Sequence, residues 1–297
     1  MRYYAQNNVT QRLITLVLNR FNEYFCCFPI LINIKLKKII IIHYRQEFIM
    51  KLKQLACLIG LTASFSANAD FLSITVGGGV WNEAPSGDFQ KTSDTSKVDV
   101  EKDLLWDSES QGYFYASLEH PVPIIPNVKI MSTKIDHTGE GDANFDFDDK
   151  TFNGNVKNDF SIETLDLIAY YEVLDNIVSL DLGLNIRSLK VDYNIDSDSK
   201  SFPPENANDS ISETIPMLYA LVGVSPLPDL IISGEISYMT FDGSTASDIT
   251  AKIAYTTSFF VGLEAGYRSQ TYEFDDVSGN NADLAFDGVF AGAYLKF

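Results

Sequence analysis

From residue 70 onward, apolar residues recur at every second position. In "LSITVGGGVW" the apolar set is Leu72, Ile74, Val76 and Val80, interleaved with Ser73, Thr75, Gly77 and Gly79. In "NIVSLDLGLNIR" Val178, Leu180, Leu182, Leu184 and Ile186 alternate with Ser179, Asp181, Gly183, Asn185 and Arg187. "LIISGEISYMTF" and "FFVGLEAGYRSQ" repeat the pattern, with Glu235, Glu264 and Arg268 on the polar side. A period of two gives a strand one apolar face and one polar face. No long window carries helical spacing, and no run is long and apolar enough for a membrane helix.

Two architectures write this pattern. A soluble sandwich hides the apolar face in its core, whereas a transmembrane barrel turns it to lipid and keeps polar and small residues inside. Ten candidate strands fall near 71–81, 110–119, 127–137, 159–172, 177–193, 211–224, 229–241, 247–256, 259–272 and 283–297. Their connections alternate between long and short. The long set is 82–109, 138–158, 194–210, 242–246 and 273–282; the short set includes "HPVPIIP", "SPLPD" and "TTS". Outer-membrane barrels sort their connections in this way, with short periplasmic turns and long outer loops. The pattern predicts an all-β, closed antiparallel up-and-down transmembrane barrel of about ten strands, with eight or twelve as alternatives. Trp81, Tyr113, Tyr115, Tyr170, Tyr171, Tyr238, Tyr255, Phe259, Tyr294 and Phe297 lie near strand ends, as interfacial girdles would require.

The segment before residue 70 divides in two. "MKLKQLACLIGLTASFSANAD" starts at Met50, with a basic start, an apolar run and small residues up to Ala67-Asn68-Ala69. That is the layout of a secretory signal peptide, with cleavage expected between Ala69 and Asp70. Residues 1–49 then read as an over-extended start, 50–69 as the signal and 70–297 as the barrel. The whole chain carries a net charge of −18. Residues 1–69 hold nine of its 22 basic and two of its 40 acidic residues, which leaves 13 and 38, or −25, for the exported part. Such acidity argues against nucleic-acid binding. All three cysteines (Cys26, Cys27, Cys57) fall before residue 70, which suits an exported protein that folds without disulfides.

Three segments carry a family resemblance. They are the Gly-rich "ITVGGGVW", the proline-broken "LEHPVPIIPNVKI" and the terminal "AGAYLKF". Together they resemble a family of outer-membrane β-barrel proteins of Gram-negative bacteria that carry the GlyGly-CTERM and rhombosortase system. The resemblance implies location and fold, and no activity. In the terminal segment Gly292, Leu295 and Phe297 match Gly-x-x-apolar-x-aromatic, which resembles the signal by which the barrel-assembly machinery recognises a last strand. That signal implies an outer-membrane location, with the assembly machinery, periplasmic chaperones, outer-membrane lipid and lipopolysaccharide as partners.

Candidate chemistry is thin. His137, beside Asp136 and near Glu140, stands near the predicted outer end of a strand, where a surface hydrolase could act. His120 sits in the proline-rich turn, where it is expected to order that turn. No Gly-x-Ser-x-Gly elbow or His-Glu-x-x-His pair is present. Acidic clusters at Asp142, Asp146, Asp148 and Asp149, at Asp196 and Asp198, and at Glu273, Asp275 and Asp276 read as solvated outer loops. Asp166, Asp181, Arg187, Glu235, Lys252, Glu264 and Arg268 are predicted to face the lumen and to pair there, because an unpaired buried charge is costly. The expectation is a non-enzymatic structural or surface-interaction barrel that needs no cofactor or metal. A narrow channel for small solutes is the alternative, and a hydrolase using His137 stands third.

Overall fold

The computed structural model describes residues 72–198 and 204–297. The proposed leader, with Ala67, Ala69 and Asp70 at its cleavage site, lies outside the described residues. Ten long antiparallel strands follow one another: β1 (Ser73–Lys91), β3 (Glu109–Glu119), β4 (Asn127–Phe147), β5 (Lys150–Asp175), β6 (Val178–Asp198), β7 (Asn206–Leu227), β8 (Leu230–Phe241), β9 (Ser244–Thr256), β10 (Val261–Val277) and β11 (Asn280–Lys296). The two-residue β2 (Val98–Asp99) adds to the far end of β1. Each long strand pairs with the next, and β11 pairs back onto β1 from Lys91↔Asn280 to Thr75↔Lys296. The sheet is therefore a closed barrel without a free lateral edge along that seam.

Phe297 ends the last strand in register. Its N–H donates to Ile74 O at 2.9 Å, and Ile74 N–H donates to Phe297 O at 3.0 Å. Its ring stacks on Phe260 at 6.3 Å. Gly292 faces inward, where an added Cβ would lie 2.3 Å from the Tyr113 hydroxyl, so the glycine makes room for that ring. Leu295 points outward.

The start of β1, the end of β11 and the short connections share one end of the barrel, here the turn end. His120 orders the proline-rich turn there: its N–H donates to Asn127 Oδ1 at 2.9 Å, and Val122 N–H donates to its Nδ1 at 3.2 Å. The opposite, far end differs from the sequence reading. Residues 138–158 and 273–282 are for the most part not loops. β4 and β5 run on to a two-residue turn at Asp148-Asp149, both with φ of 56°. β10 and β11 meet at Ser278-Gly279, and β8 and β9 at Asp242-Gly243, again with positive φ at both residues. These left-handed pairs match the twist of the strands they join. The clusters at Asp142 and Asp146, Asp196 and Asp198, and Glu273 and Asp275 consequently stand on strand walls rather than in loops.

The reason the strands looked shorter is a change of phase. Near the turn end, outward positions are apolar and inward ones polar. On β4, Val128 and Ile130 face out while Lys129 and Thr133 face in. Farther along the same strand, Ile135, Phe145 and Phe147 face in, while Lys134, Thr138 and Glu140 face out. The same flip occurs on β5 between Leu165 and Ile162, on β6 between Ile186 and Leu189, and on β11 between Val289 and Phe286. On these strands the half nearer the turn end is wrapped by an exposed apolar belt, and the far half encloses an apolar core.

Strand parity also corrects the girdle. Trp81, Tyr113, Tyr115, Tyr170 and Tyr294 point into the lumen and are buried. Among the predicted girdle residues, Tyr171, Tyr238, Tyr255 and Phe259 do face outward, and Phe114 and Tyr267 join them there. Proximity to a strand end said nothing about parity, and parity decides the face.

Candidate functional site: the two layers of the lumen

Behind the belt the lumen is filled by charge. Arg187 on β6 donates from Nε to Asp166 Oδ1 at 2.8 Å and from NH2 to Asp166 Oδ2 at 3.0 Å, and both residues are 1% exposed. This two-pronged geometry is the strongest form of the pair. Asn185 adds a bond to Asp166 Oδ1 at 2.7 Å. Arg187 also reaches Asp248 on β9. Asp248 accepts from Arg268 Nε at 3.0 Å, Arg268 NH2 at 2.8 Å and Gln270 Nε2 at 2.8 Å. One carboxylate thereby holds two guanidinium groups from β6 and β10. Arg268 continues across the lumen to Thr133 on β4 at 2.9 Å, and its guanidinium lies 5.0 Å from the Trp81 ring centroid.

A second set crosses the barrel nearer the turn end. Glu264 on β10 accepts from Tyr113 at 2.8 Å and Tyr115 at 3.0 Å, both on β3, and from Lys252 at 3.3 Å. Glu235 is paired with Lys129 at 2.6 Å. The two lysines also lie over the Tyr115 ring, at 5.7 and 5.6 Å. These side chains line a small cavity of about 40 Å³. Of the seven charges expected in the lumen, Asp166, Arg187, Glu235, Lys252, Glu264 and Arg268 belong to these two sets. Asp181 stands apart at the turn end, where its cross-strand neighbour is Glu172 and its layer is built by Tyr170 and Tyr219. Sequence reading passed over Asp248, the hub, although it lies on the predicted strand 247–256 with the same parity as Lys252. Lys129 and the two tyrosines were readable from parity in the same way.

Beyond this layer the interior is aromatic. Phe89 packs edge-on against Phe147 at 5.3 Å, and Phe147 against Tyr193 at 5.6 Å. Tyr272 links the layers: its ring belongs to the apolar core, and its hydroxyl accepts from Arg187 NH1 at 3.1 Å.

The barrel wall has a seam here. β3 ends its pairing with β4 at Tyr113↔Thr133, while β4 continues. The chain between β1 and β3 fills that seam. An Asx turn at Asp99 shapes it, with Glu101 and Lys102 N–H groups donating to Asp99 Oδ1 at 3.1 and 3.0 Å. The Lys102 ammonium beside Asp99 holds that carboxyl below its ordinary range. The same segment buries Leu104 and Trp106. Trp106 Nε1 donates to Asn158 Oδ1 at 2.7 Å, and Asn158 Nδ2 donates to Leu104 O at 2.9 Å. Gly139 permits this approach, since an added Cβ would meet Leu104 O at 1.7 Å.

His137 lies beneath this cap, 1% exposed, with its ring stacked on Trp106 at 5.0 Å and near-parallel to Phe286 at 5.9 Å. Its Nε2 is 2.9 Å from Glu83 Oε1, without the alignment of a directed hydrogen bond. Gln111 donates to the same Glu83 oxygen at 3.3 Å and to Asp136 O at 2.8 Å. Asp136 and Glu140 pair instead with Lys134 and Lys157 on the outer wall, so the carboxylates expected beside His137 are not its partners. Among the described residues no three His, Cys, Asp or Glu side chains converge as a metal site.

No family model matches the chain, and no curated protein matches it. Solved structures do align with it. The outer-membrane protease OmpT from Escherichia coli is 8% identical, with 76% of this chain and 97% of that one covered and a TM-score of 0.47. The translocator domain of the autotransporter NalP from Neisseria meningitidis is 10% identical, with 84% and 96% covered and a TM-score of 0.41. OprG from Pseudomonas aeruginosa is 12% identical, with 77% and 98% covered and a TM-score of 0.32. At these scores the likenesses carry no argument, and the barrel stands on its own strand ring.

Proposed function

We propose that this chain is an integral outer-membrane barrel of a Gram-negative cell, sealed to solutes and without enzymatic activity, whose far half projects from the bilayer as an acidic surface. The observation that carries the reading is the charge layer. Arg187, Asp166, Asp248 and Arg268 are buried and joined across the lumen, and Glu264 ties β10 to β3 below them. A solute would have to break several charge-assisted bonds in a site with little water.

The belt supports the membrane placement. Val80, Phe114, Leu165, Leu184, Leu218 and Val289 are each about half exposed or more, and they occupy six different strands. An apolar band of that extent is unfavourable in water and marks a membrane surface. The family resemblance of "LEHPVPIIPNVKI" and "AGAYLKF" supports the same location, and it supports an origin in bacteria with the GlyGly-CTERM system. The last strand, with Gly292, Leu295 and Phe297, would be the segment read by the assembly machinery after delivery by periplasmic chaperones. Lipid would face the belt, and lipopolysaccharide the acidic walls above it, through divalent cations. The buried position of His137 supports a structural role for that residue, since a hydrolytic base must reach its substrate.

The test is electrical. Purified protein in planar bilayers should give no steady conductance. A stable ohmic open state would replace this reading with that of a narrow channel. Heat-modifiable gel mobility of the same sample would report that the barrel was intact.

A further inference from the structure

The far half of the wall has a second seam, and it is closed differently from the first. β7 pairs with β8 only from Leu218↔Tyr238 toward the turn end. Pro216, which has no N–H to give to a ladder, stands two residues beyond that last pair. From Asn206 to Met217, β7 keeps its partner β6, but among the described residues no strand pairs with its other edge. β8 and β9 turn back early, at Asp242-Gly243, so the next wall is the β10–β11 hairpin. Among the described residues, side chains from the hairpin and from β1 beside it bridge to β7. Ser278 donates to Glu213 Oε1 at 2.7 Å, and Lys91 reaches Asp209 at 2.9 Å.

Behind this seam lies a cavity of about 60 Å³. Its walls are apolar, formed by Phe89, Phe160, Leu189, Tyr272, Phe274 and Leu284. Glu213, Asn280 and Asn281 stand among its lining residues on the seam side. Such walls offer a water too few hydrogen-bond partners to hold it, and an apolar cavity of this kind takes up apolar guests. Among the described residues the seam carries Glu213, Asp209 and Asp276 against the cation Lys91, which is paired with Asp209, so an anion would approach against net like charge.

We propose that this cavity is a binding site for a small, uncharged apolar molecule, entered from the side between β7 and the β10–β11 hairpin. Tyr272 lines its inner side, with its hydroxyl bonded to Arg187 of the charge layer. Such a site is compatible with a barrel that conducts nothing. Glu213 and Ser278 act as the latch across its entrance.

The experiment uses the full barrel in lipid vesicles and a neutral alkyl diazirine. After irradiation, mass spectrometry should find adducts on peptides bearing Phe160, Tyr272 or Phe274, in addition to the belt. Hexanol should remove the inner adducts, and hexanoate should not. Ala282→Trp, at the cavity wall, should reduce inner labelling to the background of an unirradiated sample. Glu213→Gln keeps the cavity and lowers the charge at its mouth, so hexanoate should become a competitor. Adducts confined to outward residues such as Leu165 and Val289 would overturn the proposal. So would inner labelling that persists in Ala282→Trp, or hexanoate competing equally well before and after Glu213→Gln. Heat-modifiable mobility identifies any variant that fails to assemble, and the wild-type competition with hexanol and hexanoate decides the matter without variants.

Discussion

The two halves of the lumen solve opposite problems. Behind the belt, outward positions are apolar, and the interior is a lattice of charges centred on Asp248. In the far half, outward positions carry Lys134, Glu140 and Lys190, and the interior is a core of Phe89, Phe147 and Phe152. The first half resembles a soluble protein turned inside out, and the second an ordinary β-barrel core. The difference shows what sets interior polarity here. Where the outside spends its apolar residues on the belt, the inside closes with directional bonds; where the outside is polar, the hydrophobic effect is free to fill the inside.

The comparison can be broken from the charged side first. Asp248→Ala leaves Arg187 and Arg268 without their shared carboxylate, and it should cost about 5 kcal/mol or prevent assembly, the upper end for stranding a buried charge. Urea unfolding of the refolded barrel checks this. The two tryptophans of the chain are well placed as reporters, since Trp81 touches Arg268 and Trp106 lies in the cap. A loss below about 1 kcal/mol would mean that the lattice contributes little.

On the apolar side, Phe147→Ala should cost about 4 kcal/mol by removing a fully buried ring. The same unfolding assay should register it as an early loss of the Trp106 signal while Trp81 holds. Simultaneous loss of both signals would show that the halves unfold as one.

Glu83 and His137 are two polar side chains buried side by side in the apolar half, and they sharpen the contrast. His137→Leu alone leaves the buried Glu83 side chain without its polar neighbour and should cost about 3 kcal/mol, the upper end for a buried polar group left unpaired. Replacing both residues with leucine should recover most of that loss, because an apolar pair suits the surrounding Trp106 and Phe286. A double variant as unstable as the single one would contradict this account of the seam.

The smallest effect belongs to the rim of the β7 seam. The Lys91 ammonium holds the Asp209 carboxyl below its ordinary range. A depressed carboxyl stabilises the fold above its unfolded pKa of about 4 and loses that contribution as the pH falls through its folded value. Asp209→Asn should therefore cost under about 1 kcal/mol at neutral pH. The gap to wild type should close in acid, when unfolding is compared at about pH 7 and about pH 3. A gap that does not change with pH would assign the loss to packing instead.

The closed antiparallel ring was legible because the belt half obeys a single rule, apolar out and polar in. Leu180, Leu182, Leu184 and Ile186 announce their strand without help. The far half was not legible as strand, because the rule inverts there. Thr138, Glu140 and Asp142, just past the predicted strand end at residue 137, looked like the start of a loop, although they continue the alternation in opposite phase. The tight turns at Asp148-Asp149 and Ser278-Gly279 carry the residue types that favour positive φ, and these were the available signal that the strands ran on. The charge layer was readable as a face but not as a set of partners. Arg187 and Asp248 are 61 positions apart, and only closure of the ring brings them together. The role of Trp106 was hidden for a similar reason: nothing local marks a residue of a long connection as the lid of a seam.

The phase flip is open to direct measurement, because residues 70–297 contain no cysteine to interfere. Single cysteines placed from 134 to 147 on β4 would be treated on intact cells with a membrane-impermeant thiol reagent. Strong labelling at 134, 138 and 140, with none at 135, 145 and 147, is the result this structure predicts. Uniform labelling across 138–147 would show a solvated loop in place of the strand wall and would contradict the two-layered barrel.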